Sequence, residues 1–205
     1  MSPAERYRRV AAMHAAHLDQ GFLATLGAPF LTEVYRAMDE AEGSVLLVEE
    51  SDGRIVGFMA GASGMGTIYR RMLRRPVRLT STLMPVLLRP SKIMRMFEIL
   101  RYGRGAGVDP DLPRAELLSV AVDPGYRGTG VAARLYRRLE THFARQGIGA
   151  FRVTVGESLV DAHRFYRRMG AKPAGRVEVH AGQGSLVYVQ EVSALPVMGA
   201  RGRPA

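Results

Sequence analysis

The sequence predicts a single α/β domain with a mixed, mostly antiparallel sheet flanked by helices. Its 205 residues are enough for one domain with a proper core and too few for two. Two hairpin patterns, at 44–61 and 175–192, predict antiparallel strand pairs. Strand and helix patterns alternate between them over 115–169. We therefore expect one domain over 1–192 and a disordered tail at 193–205.

Two helices are predicted at the beginning of the chain. Ser2, Pro3 and Glu5 are typical of a helix start, as the cap, the first and the third helical residue. This helix runs to about Leu18, and a second one runs from about Pro29 to Asp39. The inward-facing apolar residues of the second helix are Phe30, Leu31, Val34, Tyr35 and Met38.

The strands and the later helices follow from apolar runs and turn residues. Strands are predicted at 44–50 and 54–61, joined by a turn at 51–53. The later elements are a strand at 115–123, a helix over Val131–Gln146, a strand at 150–155, a helix over Ser158–Met169 closed by Gly170, and a hairpin that turns at 182–184. The inward positions of the first of these helices are Val131, Leu135, Leu139 and Phe143.

A basic segment interrupts this pattern. Residues 69–104 contain ten basic side chains and one acid, Glu98, so most of the net charge of +10 lies there. Apolar residues recur in it at helical spacing, and three prolines divide it into short helices. We expect a helical insertion at about 66–113.

The composition excludes several kinds of site. Without cysteine there is no disulfide, thiolate metal site or cysteine nucleophile. His14 and His17 are three residues apart on the first helix, but no third ligand is evident, so no metal is expected. No apolar run approaches the ~20 residues of a membrane span, and the first residues lack a signal-peptide core, so a cytoplasmic protein is the default expectation.

Small residues and an arginine crowd the turn between the strand at 115–123 and the helix after it. Such a junction directs several backbone N–H groups one way, at the positive end of the helix dipole. Gly128 and Gly130 let an anion approach, and Arg127 can add a charged donor. The turn therefore predicts a phosphate or pyrophosphate site.

A dinucleotide site is the competing interpretation of this turn. Gly128-x-Gly130-x-x-Ala133 satisfies the dinucleotide-binding fingerprint, with Glu157 as the ribose-binding acid. However, the first glycine lies five residues beyond the strand, and too little chain follows to form the further parallel strands of that fold.

A family resemblance favours the other interpretation. Arg127-x-x-Gly130-x-Ala132 resembles the Q/R-x-x-G-x-G/A acyl-CoA loop of the GNAT acetyltransferase superfamily. "LLSVAVDPGYRGTGVAARLYRRLE" resembles that family's central strand, loop and following helix. "DAHRFYRRMGAKPAG" is similar to its next motif and "VLLVEESDGRIVGFMAG" to its second and third strands. The resemblance covers roughly residues 5–65 and 114–192.

The resemblance implies a GNAT-like mixed sheet with the basic insertion between the family's third and fourth strands. Two departures stand out. The family usually begins with a strand, whereas this chain opens on a helix, and Leu159 stands where an asparagine is often found. The missing strand would weaken one sheet edge, and the missing asparagine would remove an orienting side chain.

The resemblance also implies acetyl-CoA as co-substrate and an amine as acceptor. The pantetheine arm would add to the central strand like another strand, and the loop would hold the pyrophosphate. The residues expected to bind acetyl-CoA are Val120, Ala121, Val122, Arg127, Gly128, Thr129, Gly130, Val131 and Ala132. The amine would attack the thioester directly, without an acyl-enzyme.

Two catalytic residues are expected. Tyr166 matches the family's tyrosine near the sulfur and would protonate the leaving thiolate, unless it and Phe165 only pack the helix. Glu116, at the start of the central strand, would take the proton of the amine, unless it is merely solvated. Weaker candidates for the base are Glu49, Glu50 and Glu157, and His163 is expected to be structural.

The predicted function is an N-acetyltransferase that acts on a primary amine of a small molecule, with an amino sugar or another acidic acceptor as candidates. The basic segment would be a lid over such an acceptor, a solvated face, or a surface for an anionic membrane or carrier protein. The alternatives are a non-catalytic acyl-CoA sensor, a protein or peptide N-acetyltransferase and a nucleic-acid-binding protein. No nucleic acid is expected, because zinc-finger spacing and aromatic interleaving are missing. Monomer and homodimer both stay open.

Overall fold

The computed structural model describes residues 1–18, 26–74, 111–180 and 183–193. The helices are α1 (Pro3–His17), α2 (Ala28–Glu40), α3 (Met65–Leu73), α4 (Val131–Arg145) and α5 (Val160–Arg168). The strands are β1 (Ser44–Ser51), β2 (Arg54–Ala62), β3 (Glu116–Val122), β4 (Ala150–Gly156), β5 (Lys172–His180) and β6 (Gln183–Glu191). None of the helices in these ranges is long and apolar enough to cross a membrane.

The six strands form one sheet in the order β1-β2-β3-β4-β6-β5. Only β3 and β4 are parallel, joined by α4 as the crossover helix, and the other neighbours are antiparallel. The predicted mixed, mostly antiparallel sheet is confirmed. Because β2 and β3 are neighbours, the segment between them leaves and re-enters the sheet at adjacent strands.

Helices cover both faces of the sheet, each over its own apolar cluster. On one face, α1 and α2 pack on β2 through side chains that include Val10, Leu31, Tyr35 and Phe58. On the other face, α4 and α5 pack on β3, β4 and β6 through a cluster that includes Leu135, Phe143, Phe151, Tyr166 and Tyr188. Burial of these apolar side chains holds the helices against the sheet.

Helix α4 approaches β2 closely because two glycines make room for it. A Cβ at Gly57 would stand 2.7 Å from a methyl group of Val131, and a Cβ at Gly61 would stand 2.6 Å from a methyl group of Leu139. This contact fixes the beginning of α4, where the predicted anion site lies.

A β-bulge interrupts the pairing of β2 with β3. Ala60 lies opposite Ser119 and Gly61 opposite Leu117, so Leu118 is an extra residue in β3. A bulge bends its strand and increases the local twist. The parallel pairing of β3 with β4 covers only Glu116 and Leu117, so the two strands separate from the bulge onwards.

The predicted elements are confirmed apart from their ends. The Ser2 hydroxyl caps α1 by accepting a hydrogen bond from the Glu5 N–H at 3.3 Å, and every apolar residue predicted to face inward from α2 and α4 is buried. Helix α5 begins at Val160 rather than Ser158, because the backbone at Leu159 is not helical. Strand β5 begins at Lys172 and includes Pro173, which an edge strand tolerates.

Part of the predicted insertion and the predicted tail lie outside the described residues. Helix α3 forms the described beginning of the insertion, and residues 75–110 and 194–205 are not described. The short helices predicted around the three prolines and the disordered tail therefore stay predictions.

Candidate active site

The separation of β3 from β4 leaves main-chain groups of β3 without a strand partner. The Asp123 N–H donates to the Val56 carbonyl at 2.9 Å, and hydrogen-bonding direction alternates along a strand. The main-chain groups of Val120 and Val122 therefore point away from β2, towards the gap, while those of Ala121 pair with β2. We call the stretch 119–122 the open end of β3.

The loop after β3 is held in place by its own hydrogen bonds. The Asp123 side chain accepts from the Gly125 N–H at 2.9 Å, and the Tyr126 carbonyl accepts from the Thr129 hydroxyl at 2.7 Å. Gly128 and Gly130 have φ of +79° and +83°, in the left-handed region that favours glycine. These two residues turn the chain so that it can enter α4 directly.

Backbone donors converge where this loop meets α4. Gly130 is the N-cap residue of α4, and no side chain caps the helix. The first helical N–H with a main-chain acceptor is that of Arg134, which donates to the Gly130 carbonyl. Within the described residues, no acceptor faces the N–H groups of Gly128 and Gly130 or those of 131–133. We call residues 127–132 and these donors the cradle. It has the geometry and the helix dipole of an anion site.

Arginines add positive charge to the cradle. The Arg127 side chain is exposed, and its Nε donates to the Val122 carbonyl over a long 3.4 Å. Arg134 donates to the Thr129 carbonyl at 3.2 Å and to the Glu49 carboxylate at 2.7 Å. Glu49 also contacts Arg138, so this carboxylate holds α4 against β1 instead of standing free as a base.

Tyr166 lies on α5 and is buried among aromatic rings. Its ring is 6.0 Å from that of Tyr136 and 6.2 Å from that of Tyr188. Burial raises the pKa of Tyr166 well above its ordinary value, so the phenol stays protonated at neutral pH. No hydrogen bond within the described part of the chain involves its hydroxyl. The phenol is therefore neutral, and its O–H group is available to donate a hydrogen bond.

Glu116 lies at the closed end of β3, where the strand still pairs with β4. Its Oε2 accepts from Arg152 at 2.8 and 3.1 Å, and its Oε1 accepts from Thr154 at 3.3 Å. Both carboxylate oxygens are thus engaged by β4. Its predicted role as the base is not decided by these bonds and stays a prediction.

Two other predicted side chains, Glu157 and His163, have partners of their own. Glu157, which follows β4, packs against the Cα of Gly184 and lies 3.5 Å from Arg176. His163 bonds the Tyr188 hydroxyl at 3.0 Å and the Gly156 carbonyl at 3.1 Å, so both ring nitrogens are engaged. In the described ranges no three His, Asp or Glu side chains form a group that could hold a metal ion.

The structure also shows a polar chain that the sequence analysis did not predict. His14 Nδ1 lies 2.5 Å from the Tyr35 hydroxyl, which lies 3.1 Å from the Ser119 hydroxyl. The sequence pattern predicts His14 and Tyr35 on two helices and Ser119 in a strand. No spacing signal links them, because they come from three elements up to 105 residues apart.

Solved structures share this fold. An N-acetyltransferase from Staphylococcus aureus Mu50 superimposes with a TM-score of 0.60, at 14% identity over 93% of this chain and 94% of that chain. A protein from Bacillus anthracis str. Ames, solved in complex with acetyl coenzyme A, gives 0.51 at 13% identity over 77% and 67%. An aminoglycoside 6'-N-acetyltransferase complexed with coenzyme A gives 0.50 at 14% over 81% and 82%. No curated protein sequence matches.

The family is identified by a match of this sequence to a family model. The sequence model of the acetyltransferase (GNAT) family matches residues 12–171, which include α2, the open end of β3, the cradle and α5. The match covers well over half of the 205 residues. The chain belongs to the GNAT acetyltransferase family and is an acyltransferase.

Proposed function

We propose that this enzyme transfers an acetyl group from acetyl-CoA to a primary amine of a small molecule. The observation that carries the proposal is that main-chain groups without a strand or helix partner occur at both ends of one path, at Val120 and Val122 of β3 and in the cradle. Two of the similar structures contain acetyl coenzyme A or coenzyme A, which supports the choice of donor. The cytoplasm is the proposed location.

The proposed binding mode uses main-chain atoms. The diphosphate of acetyl-CoA accepts hydrogen bonds from the N–H groups of Gly128, Gly130 and the first turn of α4, with Arg127 beside it. The two amide groups of the pantetheine arm pair with Val122 and Val120, as an added strand would. Arg127 then gives up its long bond to the Val122 carbonyl.

The chemistry needs no covalent enzyme intermediate. The amine lone pair attacks the thioester carbonyl carbon, a C–N bond forms, and the C–S bond breaks. The amine loses one proton, and the departing thiolate gains one. We propose Tyr166 as the donor of that second proton, since burial keeps its phenol protonated and its hydroxyl makes no hydrogen bond to the described residues.

Glu116 is proposed as a structural tether between β3 and β4. Three hydrogen bonds from Arg152 and Thr154 hold its carboxylate against β4, which supports a role in joining the two strands. Its role as the base stays a prediction, which the Glu116→Gln variant described below decides.

The proposed acceptor is a small amine that carries acidic or phosphate groups. The aminoglycoside 6'-N-acetyltransferase, which has the same fold, acts on a small amine by its name. The acidic character rests on the ten basic side chains of 69–104, whose segment enters beside β2. The lid predicted for this segment stays a prediction, because residues 75–110 lie outside the described part of the chain.

The function is tested by the release of free CoA thiol from acetyl-CoA in the presence of a panel of primary amines. We expect at least one phosphate-bearing amine to be acetylated. Tyr166→Phe should then lower turnover by about 10²-fold or more and leave acetyl-CoA affinity unchanged. Tyr136→Phe is the matched control, because it removes a neighbouring buried hydroxyl that bonds Gln190 instead.

Two outcomes would contradict this proposal. Acetyl-CoA binding without turnover on any amine would indicate a sensor. Equal losses of turnover in Tyr166→Phe and Tyr136→Phe would show that packing, not proton donation, explains the effect.

A further inference from the structure

The polar chain of His14, Tyr35 and Ser119 is buried on the α1/α2 face of the sheet. His14 and Tyr35 are 4% and 1% exposed, and Ser119 is half-buried at its end. The Tyr35 and Phe58 rings meet edge to face at 5.2 Å, and His14 stacks on Phe58. Packing therefore fixes the geometry of the chain as well as its hydrogen bonds.

The direction of these hydrogen bonds follows from His14. Its Nε2 is buried without any partner in the described residues. A buried N–H without an acceptor is rarer and costlier than a buried lone pair without a donor. The favoured tautomer therefore carries its proton on Nδ1. Then Nδ1–H donates to the Tyr35 oxygen, the Tyr35 O–H donates to Ser119, and the Ser119 O–H is left to donate elsewhere.

The bulge of β3 is the reason why Ser119 takes part. Leu118 packs against the α1/α2 cluster, and Ser119 contacts Tyr35 on the same face. Two successive residues of a regular strand would point to opposite faces. The extra residue thus turns the Ser119 side chain to the α1/α2 face, at the residue where β3 has left β4.

Ser119 is the residue of β3 that follows Val120 on the proposed path of acetyl-CoA. On the binding mode above, the arm runs from the cradle back along β3, and its two amides pair with Val122 and Val120. The thioester follows the second amide in the arm. It therefore reaches the level of Ser119, whose hydroxyl is the side-chain donor at that position of β3.

We propose that the Ser119 hydroxyl donates a hydrogen bond to the thioester carbonyl oxygen, and that Tyr35 and His14 are positioning residues that orient this hydroxyl. The inference rests on the proposed function. Such a donor stabilises the negative charge that develops on the carbonyl oxygen during attack by the amine. The lowered pKa of buried His14, about 4, keeps its ring neutral at neutral pH.

The test measures the carbonyl itself and requires no knowledge of the acceptor. Acetyl-CoA labelled with ¹³C at the thioester carbonyl is bound to the protein, and the carbonyl stretch is recorded by isotope-edited infrared spectroscopy. We expect a lower stretching frequency with the natural protein than with Ser119→Ala or Tyr35→Phe. Ser119→Thr, which keeps a hydroxyl, should restore the low frequency.

Tyr7→Phe is the matched control. Tyr7 is a buried tyrosine on α1 whose hydroxyl donates to Asp39 at 2.7 Å, outside the chain. Its loss should leave the carbonyl frequency unchanged. Calorimetry with acetyl-CoA accompanies each variant, so that binding and carbonyl polarisation are measured separately.

The outcomes separate this inference from the proposed function. Binding of acetyl-CoA with the same carbonyl frequency in the natural protein and Ser119→Ala overturns the inference alone. A shift in Tyr7→Phe as large as that in Tyr35→Phe also overturns it, because general loosening would then be the cause. No binding by the natural protein overturns the proposed function and this inference with it.

Discussion

The two ends of strand β3 differ in what their main chains and side chains do. At the closed end, Glu116 and Leu117 pair with β4 on one side and with β2 on the other, and Arg152 clamps the Glu116 carboxylate. At the open end, Val120 and Val122 have β2 on one side and a gap on the other. One strand is thus a structural element at one end and a binding element at the other.

The residue that separates the two ends is Leu118. The bulge that it forms ends the parallel pairing of β3 with β4 and turns the Ser119 side chain to the α1/α2 face. A strand with free hydrogen-bonding groups inside a sheet is costly unless a ligand completes it. At the closed end, β3 joins β2 to β4 and holds the two halves of the sheet together. The sheet therefore does not need further pairing between β3 and β4 at the open end.

The largest effect is expected at the open end, from Gly130→Val. A β-branched residue is strained at φ +83°, and its Cβ would stand 3.3 Å from Nη1 of Arg134, beside the cradle. We expect acetyl-CoA affinity to fall on the order of 100-fold, about 2.7 kcal/mol. Calorimetric titration with acetyl-CoA measures this affinity.

Gly147→Val is the control for backbone strain. Gly147 also has a positive φ, +71°, but it follows the opposite end of α4. Both variants should lose similar stability, and only Gly130→Val should lose affinity. Equal losses of affinity would mean that the cradle is not the binding site.

A smaller effect is expected from acid, through His14 beside the bulge. Burial lowers the pKa of His14 from 6.5 to about 4. Between these values the unfolded chain binds a proton and the native protein does not, so stability falls as the pH drops below 6.5. The free energy of unfolding should lose about 2 kcal/mol by pH 5 from this group. Urea unfolding of the natural protein and of His14→Gln at pH 7 and pH 5 isolates the loss, and an equal fall in both proteins contradicts it.

The smallest effect is expected at the closed end, from Glu116→Gln. The variant removes a half-buried ion pair with Arg152, which should cost about 1 kcal/mol of unfolding free energy. If Glu116 is only the tether, the folded variant keeps its turnover and its acetyl-CoA affinity. A loss of turnover of about 10²-fold at unchanged stability would instead identify Glu116 as the general base.

The elements and the cradle could be predicted because their signals are local. Apolar spacing predicted α2 and α4, and Gly128, Gly130 and Arg127 are close together in the sequence. The bulge could not be predicted, since it depends on the register of Leu118 against β2. The bonds of Glu116 to Arg152 and of Tyr35 to Ser119 join distant parts of the chain, so only the fold brings them together.

The central claim is that the unpaired main chain of β3 and its loop binds acetyl-CoA, and amide hydrogen exchange tests it most directly. We predict that acetyl-CoA slows exchange at Val120, Val122, Gly128 and Gly130, and leaves Leu117 at the closed end unchanged. Binding that protects none of these four amides, or protects both ends of β3 alike, would contradict the account.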